Sequence, residues 1–236
     1  MKNNYELTFG GISLTDYSCV YSGSKIFKKP EKEVLKYSIP GRNGDLSISQ
    51  NKYSNVTIQY DCYIQSGFQE NFERLINALS SIDGYGILDC SEEPDIYREA
   101  LFTDEFSAST GAYNRRGKFT LSFDCKPQKW LKSGQISIDV TEGATLTNQQ
   151  YFEAKPLFMV EGTGTLSVNG VTVQLSANTG TTYIDCDIAD VYEGNTNRNG
   201  DVALTAYGFP TLVPGENTIT NTGFTSVLMI PRWYKI

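Results

Sequence analysis

The side chains with chemical potential in this 236-residue sequence are few, and histidine is not among them. Its absence excludes Ser-His-Asp and Cys-His nucleophilic catalysis, histidine-ligated metals and the usual general base near neutral pH. Two groups of carboxylates, five cysteines and one glycine-rich loop remain. Glu92, Glu93 and Asp95 bring to mind the paired acids of a glycosidase. They lie in a proline-bearing stretch with no partner acid identified, so they read as a solvent-facing turn. Asp185, Asp187 and Asp190 offer oxygen ligands for calcium, but their spacing lacks the EF-hand glycine and closing glutamate. No metal or other cofactor is expected. Cys19, Cys62, Cys90, Cys125 and Cys186 are odd in number and never form a CxxC, so neither a zinc knuckle nor a thioredoxin motif is suggested. Pro40-Gly41-Arg42-Asn43-Gly44-Asp45 matches neither Walker spacing nor GxGxxG and precedes no helix, which makes it a structural turn rather than a phosphate cradle.

The elements that carry these residues are mostly strands. Fifteen tyrosines, twelve phenylalanines and twenty-one glycines favour a β-rich fold with many tight turns. From Arg116 to Lys126 apolar Phe119, Leu121, Phe123 and Cys125 alternate with polar residues, the period of a half-buried strand, which Pro127 is expected to stop. Val56, Ile58, Tyr60, Cys62 and Ile64 form one face of another strand, and Cys62 and Cys125 act there as small hydrophobes. Val34–Ile39 and Leu46–Ile48 read as two strands joined by the Pro40–Asp45 loop, with Asn43-Gly44 as the positive-φ pair. Lys28–Glu33 is a charged, solvated loop. One helix is predicted: Ser66 and Gln69 have capping-box spacing, and Phe68, Phe72, Leu75, Ile76 and Leu79 form a single stripe. Glu70 and Arg74 can pair on its outer face, and Gly84 can stop it. Strands over 85–90 and 96–102 then pair across residues 91–95.

Beyond the polar seam Lys132-Ser133-Gly134-Gln135 the composition shifts. Residues 1–132 carry 16 Lys+Arg against 17 Asp+Glu, a net of −1, whereas residues 133–236 carry 4 against 10, a net of −6. Two domains, 1–132 and 133–236, are expected. In the second, short strands recur at the spacing of an all-β sandwich. Asn169-Gly170 is a two-residue hairpin turn that pairs Val168 with Val171 and Leu166 with Val173. Tyr183–Ile188 and Val202–Tyr207 are further strands around a polar loop at 193–201, and Val227–Trp233 closes the chain, with Trp233 packed back on the fold. The net charge of −7 does not suit a protein that grips nucleic-acid backbone. The start lacks a signal-peptide core and no apolar run approaches the ~18 residues of a membrane span, so synthesis in a reducing cytoplasm and no membrane insertion are expected.

Taken in order, a set of turns and strand ends resembles the distal tail protein (Dit) family of siphophage-type bacteriophages, the hub of the tail tip or baseplate. In the first domain these are Phe9-Gly10-Gly11, Ile39 to Leu46, the helix around Phe72 to Leu79, and Gly117 through Gln128. In the second they are Asn148, Phe152 to Pro156, Gly162-Thr163-Gly164, the Asn169-Gly170 hairpin, Tyr183-Ile184-Asp185, Phe209-Pro210, Gly215-Glu216-Asn217 and Pro231-Arg232-Trp233. The resemblance implies a mainly β protein: an N-terminal β-sandwich or split-barrel belt domain with one α-helix, and a C-terminal galectin-like β-sandwich. It implies a structural virion protein without catalytic residues, a homo-hexamer in the tail tip. Its partners would be tail-tube and tape-measure proteins, the tail-associated lysin or fibre, and receptor-binding proteins. Candidate ring contacts are Lys28 and Lys29 in one charged loop, and Arg42, Asn43 and Asp45 in the other. Two alternatives stand beside it. One is a carbohydrate-binding module that stacks sugar on Tyr192, Tyr207 or Trp233 for host-surface adhesion; the other is a glycosidase, which would need an acid pair in a cleft.

Overall fold

The computed structural model describes residues 5–21, 28–102, 108–111 and 115–236, the third of these segments as backbone. It is mainly β and divides into two compact units, Met1–Lys129 with Ile236, and Trp130–Lys235.

In the first unit the strands are β1 (Leu7–Phe9), β2 (Ile12–Ser13), β3 (Cys19–Tyr21), β4 (Lys32–Tyr37), β5 (Leu46–Tyr53), β6 (Val56–Ile64), β7 (Gly86–Cys90), β8 (Ile96–Leu101), β9 (Ala108–Gly111) and β10 (Arg116–Leu131). The helix α1 (Phe68–Ser80) lies between β6 and β7. One sheet runs β2-β1-β7-β8-β10-β6-β3, with β9 also on β10. The register of β10 on β6 sets Phe119 opposite Cys62, Leu121 opposite Tyr60 and Phe123 opposite Ile58. Alternation therefore delivers one apolar face, and Phe9, Tyr60, Phe102 and Phe123 cluster there with centroids 5.0–6.5 Å apart. The helix covers this face: Leu75 and Leu79 are fully buried, and Phe72 meets Phe119 edge-on at 5.2 Å. Gly117 permits the approach, since a Cβ there would stand 2.2 Å from the Phe68 ring.

Four local expectations are corrected here. Strand β10 runs through Pro127 to Leu131. Its ladder with β6 ends at the Cys125–Val56 pair, so the N–H that proline lacks is not missed on that side. No capping box forms, because the N-cap is Gly67 at φ 58 and Ser66 is one residue too far out. The Asn71 side chain instead donates to the Ser66 carbonyl. The helix ends at Ser80, short of Gly84, where the Ser81 hydroxyl donates to the Ala78 carbonyl. Arg74 lies over the Tyr17 ring rather than pairing with Glu70.

The second unit stacks two antiparallel sheets. Its strands are β11 (Ile138–Asp139), β12 (Ala144–Asn148), β13 (Leu157–Glu161), β14 (Gly164–Val168), β15 (Val171–Leu175), β16 (Thr181–Asp185), β17 (Asp190–Glu193), β18 (Thr196–Asn197), β19 (Val202–Leu204), β20 (Gly215–Thr222), β21 (Ser226–Ile230) and β22 (Tyr234–Lys235). One sheet is β11-β21-β13-β16-β17-β18 and the other β12-β20-β14-β15-β19. Inward Phe158, Val160, Ile184, Val191, Val227 and Met229 of the first meet Leu166, Val168, Val173, Leu175 and Ile219 of the second. The β14–β15 hairpin has the expected register, with Asn169 and Gly170 at φ 51 and 85. Trp233 is half-buried against this core. Strand β16 stops at Asp185, whose carboxylate accepts the Asp187 and Ile188 N–H groups in a turn. Part of the expected polar loop at 193–201 is the β17–β18 hairpin, closed by Arg198 on Glu193 and Asp201. Strand β19 ends at Leu204, before Tyr207.

Two of the residues behind the family resemblance prove to be buried asparagines that tie loops down. The Asn217 amide donates to the carbonyls of Val213 and Gly215, and its oxygen accepts from the Val213 N–H and the Asn169 amide, all at 2.8–2.9 Å. Asn148 donates to the carbonyls of Phe152 and Leu212 and accepts from the Gln150 N–H.

Candidate functional site

The feature without an internal purpose is the β4–β5 hairpin. These two strands form a sheet of their own and pair with no other strand among the described residues. Tyr37 stands opposite Leu46 and Leu35 opposite Ile48. In an antiparallel ribbon those four side chains share one face, while Lys36, Ser47 and Ser49 take the other. The apolar face is uncovered: Leu35, Tyr37, Leu46 and Ile48 are 44–51% exposed, and neither strand buries a single side chain. A lone two-stranded ribbon is marginal in water, so an arm of this build calls for a surface to lie against.

The arm is also basic in an acidic chain. Residues 28–54 hold six Lys+Arg against three Asp+Glu, a net of +3, whereas the whole chain is −7. The sequence-derived ring-contact candidates sit at its two ends. Lys28 and Lys29 are at the root, where the Lys28 ammonium donates to the Thr57 carbonyl at 2.7 Å. Arg42, Asn43 and Asp45 form the exposed tip. The positive φ values at the tip belong to Gly41 (80°) and Gly44 (82°), so Asn43 is not one of a positive-φ pair as expected. The apolar face between root and tip was missed. Its alternation, Leu35-Tyr37 and Leu46-Ile48, is legible, but such a pattern ordinarily means a face turned to the core.

The sugar-stacking candidates are not brought together. Tyr192 on β17 stacks on Tyr183 at 5.2 Å and 9°, which occupies one ring face. Tyr207 is fully exposed beyond β19 in the other sheet, and Trp233 lies half-buried on the core. The carboxylates have protein partners. Arg232 grips Asp185 with two bonds of 2.7 and 2.8 Å; Asp187 pairs with Lys155; Asp190 accepts from the Asn197 and Asn199 amides. Glu92 and Glu93 are not simply solvent-facing. Tyr21 donates to Glu92, and Glu93 pairs at 2.7 Å with Arg98, itself 8% exposed. They border a cavity of about 80 Å³ that Tyr60 and Cys90 also line. Burial raises the Tyr21 and Tyr60 phenols, so neither is an activated nucleophile. Among the described residues, no three His, Cys, Asp or Glu side chains are grouped to hold a metal, and no helix is long and apolar enough to cross a membrane.

All five cysteines are free and buried, and burial pushes the Cys125 and Cys186 thiols up to about 12. Ellman's reagent is therefore expected to find no reactive thiol in the native protein within minutes and five after denaturation. Early release of one equivalent would mean that a unit opens readily.

No protein-family model matches the chain, and no curated relative matches it. Solved structures do. The chain is similar to the Dit (gp 19.1) protein of phage SPP1, described as a paradigm of the hub adsorption apparatus in phages that infect Gram-positive bacteria. The TM-score is 0.72 at 18% identity, covering 96% of this chain and 98% of that one. A chain of the phage p2 baseplate, in its activated conformation with Sr, aligns at a TM-score of 0.52 and 9% identity, over 96% of each chain. The fold is therefore Dit-like over nearly the whole length of the chain.

Proposed function

We propose that this chain is a structural hub of a phage tail tip. In this reading copies of the first unit close into a ring, expected to be hexameric, that continues the tail tube. The ring joins the tube and tape-measure proteins to the tail-associated lysin or fibre and carries receptor-binding components. The protein would act by assembly in the virion and not as an enzyme. The observation that carries this is the arm: a Dit-like fold that leaves one basic ribbon with a bare apolar face. A ring needs such a contact, because head-to-tail association uses two different surfaces per copy and closes when the rotation allows.

Light scattering on the purified protein, with negative-stain images of the same sample, tests the reading. The expected result is a closed ring at about six times the 26.2 kDa chain mass. A chain that remains single at every concentration, and also in the presence of tail-tube protein, would overturn it.

A further inference from the structure

Resting on that ring reading, we infer that the arm of one copy docks on the Tyr85–Ile87 patch of the next copy's first unit. Apart from the arm and its neighbour Ile39, Tyr85 (44% exposed) and Ile87 (55%) are the large exposed hydrophobics of the first unit among the described residues. They lie on one face. Ile87 points away from the core because Gly86 and Leu88 on either side of it are buried. Glu99 is its cross-strand neighbour. Lys126 pairs with Glu99 and stands over the Tyr85 ring at 4.6 Å, which puts both apolar side chains beside the same lysine.

The charges fit the same partner. Around the patch, Asp83 is two residues before Tyr85 and Asp89 two residues after Ile87. Asp124 is tied to Tyr85 through the Asn55 amide, which donates to both. With Glu99 that makes four carboxylates next to the patch in sequence, across the strand pair or through a shared hydrogen bond, the complement of an arm with a net charge of +3. The second unit's exposed apolar residues, such as Tyr151 and Tyr207, belong to a unit that carries no basic arm of its own.

The geometry suits a chain of copies. Asn55 begins one residue beyond the arm's last hydrogen-bonded turn, where the Ser54 N–H donates to the Glu31 carbonyl, so the patch lies by the arm's root. An eight-residue strand reaches on the order of 25 Å. The apolar face lies along that reach, between root and tip. Arm and patch are then different surfaces of one unit, as a heterologous junction requires.

Three preparations test this. Ile87→Lys should remain a single chain where the wild type forms rings, and so should Leu35→Ser with Ile48→Ser. Mixed together, the two variants should give 1:1 pairs and nothing larger, because each supplies only the surface that the other lacks. In a third preparation, Ile48→Cys with Ile87→Cys, mild oxidation should link neighbouring copies, and the buried native thiols should not interfere. Rings of Ile87→Lys equal in mass to the wild type, or a mixture that stays monomeric, would overturn the docking site while leaving the ring reading intact. A wild-type chain that forms no ring, with tail-tube protein present as well as alone, together with a double-cysteine variant that yields no linked pair, would overturn both.

Discussion

Asp185→Ala is expected to destabilise the second unit by about 3 kcal/mol, which lowers its melting temperature by roughly 10 °C or more. The size follows from what is left behind. Asp185 is 6% exposed and receives two short bonds from Arg232 as well as the Asp187 and Ile188 N–H groups. Removing the carboxylate strands a half-buried guanidinium and two amide donors at once, whereas an exposed pair such as Lys155–Asp187 contributes little. Asp185→Asn should cost less, since it keeps acceptors for the turn and loses only the charge. The same pair sets an acid limit. Burial pushes the Asp185 carboxyl up, but Arg232 and the turn amides outweigh it and hold it below the usual carboxylate range. A carboxyl lowered in the folded state gives stability that is full above its unfolded value, near 4, and is lost as pH falls through the folded one. Thermal melts of wild type and Asp185→Asn should therefore differ most near neutral pH and converge below pH ~3. A constant difference across that range would mean that the charge is not the stabilising element.

Asp185 also marks the limit of what the sequence discloses. Strands such as β6 and β10 are legible because a period of two has one buried solution, and the β14–β15 hairpin because Asn-Gly fixes its register. Asp185, Asp187 and Asp190 invite a calcium reading because sequence places acids near each other and says nothing of Arg232, forty-seven residues later. The helix stripe was legible and its ends were not, since a cap depends on the backbone turn at Gly67 and not on which serine is nearby. Pro127 stops a strand only where its missing N–H would be needed. The candidate site has the same character. Arg42, Asn43 and Asp45 announce an exposed turn, but the pattern of Leu35, Tyr37, Leu46 and Ile48 is that of any amphipathic ribbon. What sets it apart is that no other strand among the described residues pairs with it, and that is a property of topology.

If the arm's apolar face is covered by a neighbouring copy, substitution in the arm should separate folding from assembly. Leu35→Ser with Ile48→Ser removes two side chains that are 44% and 46% exposed in the single chain. Neither contributes to the core, so the melting transition should move by no more than about 0.5 kcal/mol. At a junction that buries both, each lost side chain forfeits roughly 1 kcal/mol, about half of what a full burial yields because each is already half covered, and every junction of a closed ring suffers the same loss. A deficit of about 2 kcal/mol per junction corresponds to roughly thirtyfold weaker pairing at each of them, so the variant should sediment as a single folded chain where the wild type is a ring. Ser49→Ala, on the opposite face, is the matched control and should assemble normally. The basic arm adds a salt dependence, since surface charge attraction is screened within about 8 Å at physiological ionic strength. Wild-type assembly should slow at high salt yet persist, because apolar burial is not screened. Rings that survive the double substitution would show that the arm's apolar face is not in the junction. The tip residues Arg42 and Asp45 would then be the next to replace.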